Sequence, residues 1–183
     1  MPGDAAAGVP VWDRFVRAFH WTLLTSFVVA FASHEDGYGS VHLVSGYVVA
    51  LLVVARLIWG IVGSHHARFA DFVRGPRAVM AYVGELLRSR AKRFLGHNPA
   101  GGTMIVVMLA LLIVISVTGF LLTTTRFYGD EMMFVIHERV VHVMLICILL
   151  HVLGVLWSSR AHRENLVKAM ITGRKRPLDQ PGR

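Results

Sequence analysis

The sequence predicts an all-α integral membrane protein, a bundle of four transmembrane helices. Three observations carry that prediction. The chain of 183 residues is 55% hydrophobic and only 16% charged, with a mean hydropathy of +0.56, too apolar for an ordinary soluble domain. Four apolar stretches are each long enough to cross about 30 Å of hydrocarbon at about 1.5 Å per helical residue. Lys and Arg are concentrated in alternate connections, the asymmetry expected of a chain threaded through a bilayer.

The spans follow in order. The first runs over about residues 14–33 and holds His20 and Trp21. Ala30-Phe31-Ala32 has the small-residue form of a signal cleavage site, but the apolar run is long for a signal region and contains His20 and Trp21, so it is read as a span. Glu35 and Asp36, with no Lys or Arg, lead into the second span, about 41–63. The middle loop carries Arg68, Arg74, Arg77, Arg88, Arg90, Lys92 and Arg93. Within it Pro76 can open a helix, and Val79, Tyr82, Val83, Leu86 and Leu87 recur at helical spacing among Arg77, Glu85 and Arg88. This predicts an amphipathic helix at the membrane surface. Gly96-His97-Asn98-Pro99 ends that element and leads into the third span, about 102–125. Arg126, Asp130 and Glu131 precede the fourth span, about 137–158. A basic tail, 159–183, carries Arg160, Arg163, Lys168, Arg174, Lys175, Arg176 and Arg183.

The charge pattern predicts that both termini, the middle loop and its amphipathic helix are cytoplasmic. Residues 1–183 are read as a single membrane domain. The net charge of +8 is therefore assigned to topology, and no nucleic-acid partner is expected. Cys147 is the only cysteine, which excludes an internal disulfide and any Cys-based zinc or iron–sulfur framework.

The histidines supply the chemistry. Ionisable residues within spans are costly and point to function. His34, His65, His66, His97 and His162 lie in the connecting and terminal segments and are read as solvated or headgroup-facing. His137 and His151 stand fourteen residues apart on one span. At about 100° per residue they return to within about 40° of one face, separated by roughly 21 Å along the axis. His142 points about 140° to 180° away from both and is read as a packing or interhelical hydrogen-bonding residue. Depth then selects partners. His20 and His151 lie near the cytoplasmic side, and His42 and His137 near the external side. Each pair can ligate one haem iron from both faces through imidazole nitrogens. Bis-histidine ligation leaves no open axial position and favours electron transfer over oxygen chemistry.

Neighbouring residues are read around these pairs. Gly46 lies one turn deeper than His42, Gly154 lies three residues past His151, and Gly119 sits in span three. Each leaves room for a flat macrocycle, or for close helix packing. Arg56 and Arg139 can meet haem propionates through the guanidinium fork, or snorkel to the interface. Glu138 is read as a solvated helix-start carboxylate. Trp12, Trp21, Trp59 and Trp157 are read as interfacial anchors.

The chain resembles the bacterial cytochrome b561 family, and more closely the cytochrome b subunits of the nickel–iron hydrogenase type. The matching pieces are Arg17-Ala18-Phe19-His20-Trp21, His42 with Gly46-Tyr47, and Arg56-Leu57-Ile58-Trp59-Gly60. They continue with Gly96-His97-Asn98-Pro99-Ala100-Gly101, His137-Glu138, His151-Val152-Leu153-Gly154, Glu164-Asn165-Leu166-Val167 and Met170-Ile171-Thr172-Gly173. The resemblance implies a four-helix bundle of the bacterial inner membrane that holds two haem b groups and passes electrons between the quinone pool and a redox partner. It implies the same four ligands, His20, His42, His137 and His151. A c-type cytochrome, a hydrogenase or another redox protein can fill the partner role, and a homodimer is compatible with it. An oxidoreductase variant acting on quinone or superoxide at a haem edge is also open. Two other classes compete. A transporter using histidines for metal ions or protons calls for carboxylates among the histidines at one depth, whereas these spans hold few. A docking anchor leaves the intramembrane histidines unexplained.

Overall fold

The computed structural model describes residues 8–34, 39–88 and 90–178. The predicted loop charges Glu35 and Asp36, and Arg183 of the tail, lie outside the described residues. The element order is β1 (Val9–Pro10), α1 (Arg14–Ala32), α2 (Gly39–Val62), α3 (Phe69–Phe72), α4 (Pro76–Leu87), α5 (Pro99–Leu122), α6 (Glu131–Ala161), α7 (Leu166–Thr172) and β2 (Arg174–Lys175). Among the described residues, α1, α2, α5 and α6 are long and apolar enough to cross a membrane. The predicted four-span helical architecture is present.

Capping chemistry explains where the helices depart from the apolar stretches. Asp13 starts α1 by accepting from the Val16 N–H at 2.7 Å. Asn98 does the same for α5 through the Gly101 N–H at 2.7 Å, with Pro99 at the first helical position. That helix therefore begins three residues before the predicted Gly102. It stops at Leu122 because Thr123 and Thr124 turn their hydroxyls back onto the Phe120 and Leu121 carbonyls at 2.8 and 2.6 Å. Asp130 caps α6 through the Met133 N–H at 2.8 Å. The helix thus starts at Glu131, six residues before the predicted start at His137.

The chain divides into two compact units. The first comprises residues 1–17, 59–105 and 150–183. Here β1 pairs antiparallel with β2, Val9 opposite Lys175 and Pro10 opposite Arg174, an element that the helical periodicity does not predict. Gly173 makes the turn into β2 at φ +79°, the left-handed conformation that favours glycine. Its carbonyl accepts from the Val11 and Trp12 N–H groups at 2.8 and 3.0 Å.

Several side chains read as solvated or interfacial build this unit. Trp12 is buried with Val11, Val16, Ala67 and Ala169. The Trp59 indole donates to Asp13 at 2.9 Å and packs on Phe15. The His97 ring packs on both Trp12 and Phe72, with centroids 4.5 and 4.7 Å away. Trp12, Trp59 and His97 therefore serve packing here, because folded apolar partners cover them. His66 and His162 are half-buried, whereas His34 and His65 are exposed as expected.

The basic tail folds back on itself. Arg93 holds Glu164 through two hydrogen bonds, at 2.6 and 3.2 Å, and donates to the Arg176 and Pro177 carbonyls. Lys175 is only 7% exposed, stands 5.4 Å over the Trp12 ring and donates to the Phe94 carbonyl. Burial pulls its pKa down to about 8, with Glu164 opposing and Arg93 reinforcing the shift. Below pH 8 the amine is protonated in the folded and unfolded chain alike. Between about 8 and 10.5 only the unfolded chain keeps the proton, so stability rises with pH across that window. The native melting temperature in detergent is expected to rise by several degrees relative to Lys175→Met between pH 8 and 10, at about 2–4 °C per kcal/mol for this length. A difference that does not vary with pH counts against a desolvated amine at Lys175.

Candidate functional site

The second unit comprises residues 18–58 and 106–149, and so contains parts of α1, α2, α5 and α6. His42 near the start of α2 and His137 in the second turn of α6 face each other in it. Their ring centroids are 6.3 Å apart at an interplanar angle of 71°, and both side chains are half-buried.

Each imidazole has a partner at Nδ1. The His42 Nδ1–H donates to the Ala30 carbonyl at 2.9 Å. Ala30 lies in the last turn of α1, where carbonyls have no donor within the helix. The Ser33 hydroxyl shares this acceptor at 3.3 Å. On the other side, His137 Nδ1 lies 2.9 Å from Thr118 Oγ1 in α5. Metal-ligating histidines characteristically engage their second nitrogen in this way, which sets the tautomer and the ring direction. With Nδ1 engaged, Nε2 is the nitrogen through which either residue would hold a metal. A metal–imidazole bond is about 2 Å, so two imidazoles on opposite sides of one ion put their centroids about 6 Å apart. The observed 6.3 Å and the all-nitrogen donor pair fit an axially ligated haem iron.

The glycines divide into two kinds. A Cβ at Gly119 would stand 3.1 Å from His137 Cε1, so the missing side chain gives the imidazole its room. At Gly46 and Gly154 a Cβ would meet nothing within 4 Å. Each leaves an open surface beside its helix, and Gly46 lies one turn past His42.

The remaining candidates are placed as follows. Arg56 is buried in α2 at 3% exposure, whereas Arg139 and Glu138 on α6 are exposed. His142 is exposed, and its Nδ1–H donates to the Glu138 carbonyl at 3.0 Å. That bond is to its own helix, not to a neighbour. His20 on α1 belongs to the second unit, half-buried and edge-on to Trp21 at 5.1 Å. His151 on α6 is half-buried and belongs to the first unit. Among the described residues no three of His, Cys, Asp and Glu converge on a common point.

Two functional groups escaped the sequence reading. The Ala30 carbonyl carries no side-chain signal at all. Thr118 offered only a hydroxyl in an apolar run, nineteen residues from the histidine it meets.

Four membrane-length helices and a close imidazole pair between two of them fit the class of membrane cytochromes, proteins that carry electrons on haem b. The chain belongs to the prokaryotic cytochrome b561 family, whose pattern matches residues 11–173. It is similar to a probable Ni/Fe-hydrogenase B-type cytochrome subunit of Azotobacter vinelandii, with 25% identity over 211 residues covering 90% of this chain and 87% of the relative. A protein described in the same words from Cupriavidus necator is 22% identical over 217 residues, covering 93% and 88%. The corresponding Bradyrhizobium diazoefficiens protein is 22% identical over 224 residues, covering 97% and 91%. No solved structure matches.

Gly119→Ala is expected to push the His137 ring aside and destabilise the protein by about 1–3 kcal/mol, the usual cost of overpacking. Gly154→Ala should leave stability unchanged or slightly raised, since alanine favours helix over glycine. Thermal unfolding of the two purified variants in detergent checks this, and equal melting temperatures would contradict the crowding at Gly119.

Proposed function

We propose that this protein is a dihaem electron carrier of the bacterial inner membrane, passing electrons between the quinone pool and a redox partner. The observation that carries the reading is the His42–His137 pair, 6.3 Å apart with both Nδ1 atoms engaged. Bound haem b supplies a one-electron couple at its iron. His42 and His137 would hold one haem on the external side, and with both histidines bound no place would remain for a small-molecule ligand, which suits electron transfer. His20 and His151 would do the same on the cytoplasmic side. That second pairing rests on the sequence alone, on how far each histidine lies from the end of its apolar stretch, and on the family resemblance.

The surrounding residues bind and orient. The open surface at Gly46 would receive the macrocycle next to His42. Burial of Arg56 suits a guanidinium engaged by a propionate, because a charge inside a span needs an opposite charge or hydrogen-bond acceptors. Arg139, exposed near the external end of α6, is the second propionate candidate. The Lys and Arg distribution supports cytoplasmic termini, with α4 lying on the cytoplasmic face of the bilayer. The relatives are named as hydrogenase cytochrome subunits, which supports a hydrogenase as one redox partner. A c-type cytochrome fits the same role, and a homodimer is compatible with it.

Haem stoichiometry tests the reading. Pyridine haemochrome assays on the haem-supplied native protein are expected to give two haems per chain. His42→Ala and His137→Ala should each abolish the same haem, and His20→Ala and His151→Ala the other, with His142→Ala keeping both. A native protein without b-type haem, or loss of a haem in His142→Ala, overturns the assignment.

Gly46→Ala separates a macrocycle surface from ordinary helix packing. The apoprotein should be as stable as the native one or slightly more so, while haem occupancy or the absorption band of the His42–His137 site changes. An unaltered spectrum at full occupancy would rule out the macrocycle lying against Gly46.

A further inference from the structure

The structure gives the two imidazoles of the His42–His137 pair different partners. The His42 Nδ1–H donates to a backbone carbonyl. His137 meets a side-chain hydroxyl, and that hydroxyl is itself anchored. Thr118 Oγ1 stands 2.8 Å from the Val114 carbonyl and 3.2 Å from the Ile115 carbonyl of its own helix. A carbonyl only accepts, so the hydroxyl hydrogen is drawn to these two oxygens. The lone pair of Oγ1 then receives the His137 Nδ1–H, with the Ile115 carbonyl beside it as a backbone acceptor for the same ring. Thr118 is only 6% exposed, so water does not compete for the bond. Gly119, the next residue, leaves the ring edge its place, with the His137 Cε1 3.1 Å from where a Cβ would stand.

We propose that Thr118 is a positioning residue that holds His137 as its Nδ1–H tautomer, aims Nε2 at the iron, and sets the reduction potential of that site. The inference rests on His42 and His137 being the axial pair. A hydrogen bond accepted from Nδ1–H increases the electron density that Nε2 offers the metal. A more basic ligand favours the oxidised state of the iron, which carries one positive charge more than the reduced state. Losing the acceptor therefore moves the potential upward. Loss of an outer-shell partner of a metal ligand typically costs 10–100-fold in metal affinity or activity. Taking the lower end for the oxidised-to-reduced equilibrium, the shift is tenfold, or about 59 mV for one electron.

The test uses the full-length, haem-loaded protein in detergent and compares Thr118→Val with Thr118→Ser. Valine keeps the shape and removes the acceptor, and serine restores it. Haem content is measured first, then both midpoint potentials by optical titration with mediators. In Thr118→Val one midpoint should rise by about tenfold in the equilibrium constant, the other should stay, and Thr118→Ser should return towards the native value. Loss of one haem in Thr118→Val with native occupancy and potential in Thr118→Ser supports the same conclusion, because the hydroxyl is what the serine variant shares with the native chain. Unchanged midpoints in Thr118→Val, or a Thr118→Ser variant as perturbed as Thr118→Val, overturn it. Full haem occupancy in His137→Ala would instead overturn the ligand assignment beneath it.

Discussion

Hydrogen bonding at the two Nδ1 atoms is the constraint on which the site depends. A span surrounded by hydrocarbon offers no water to satisfy an imidazole, and an unmatched polar group there costs free energy. The Ala30 carbonyl and the Thr118 hydroxyl meet that demand for His42 and His137. They also remove the choice of tautomer, because an engaged Nδ1–H leaves Nε2 as the lone-pair nitrogen. The termination of α1 supplies the first of these acceptors. Were the helix to continue, the Ala30 carbonyl would be taken by a backbone N–H further along. The length of one span thus orients the imidazole carried by the next.

The first unit shows the same logic outside the apolar stretches, where charged groups take the place of the imidazoles. Arg93 ties Glu164 to the chain around Arg176 and Pro177, and Lys175 is enclosed near Trp12. Burial tends to raise the Glu164 carboxyl, yet the hydrogen bonds from Arg93 and the Arg176 N–H hold it below its ordinary value. Asp13 repeats the pattern. Burial raises it, and the donors Ser64, Val16 and Trp59 together outweigh that effect. Charge of the tail and middle loop therefore falls into two populations. Arg93, Lys175 and Arg176 are partly or fully buried, while Arg74, Arg77, Arg88, Arg160 and Lys168 are exposed and available to anionic lipid or a partner.

Residue type and spacing made the four spans legible, and the 100° helical step separated His142 from His137 without any structure. Helix starts were legible in principle, since Asp130 and Asn98 are strong capping residues. Hydropathy alone hides them, because a cap lies outside the apolar run it begins. The tryptophans mark a real limit. Trp12 and Trp59 near span ends look the same in a sequence whether lipid headgroups or folded segments cover them. Burial of Trp12 depends on β1 meeting β2 across more than 160 residues of chain, and no local pattern encodes that pairing. The Thr118–His137 contact is hidden for the same reason, since it depends on how α5 lies against α6 at that level.

The two acceptors also differ in what substitution can reach. The Ala30 carbonyl belongs to the backbone, so replacing the side chain at that position leaves the acceptor in place unless the end of α1 itself moves. Thr118 carries its acceptor on a side chain, and a single substitution removes it, weakens it or exchanges it. A backbone carbonyl is a strong acceptor in a fixed direction, whereas a hydroxyl that already donates to Val114 and Ile115 is a weaker one whose strength depends on that donation. The His42 side is therefore fixed by the fold, and the His137 side is adjustable within it. A pair built this way keeps its imidazole geometry through sequence change, and under the proposed haem ligation α5 would tune the potential.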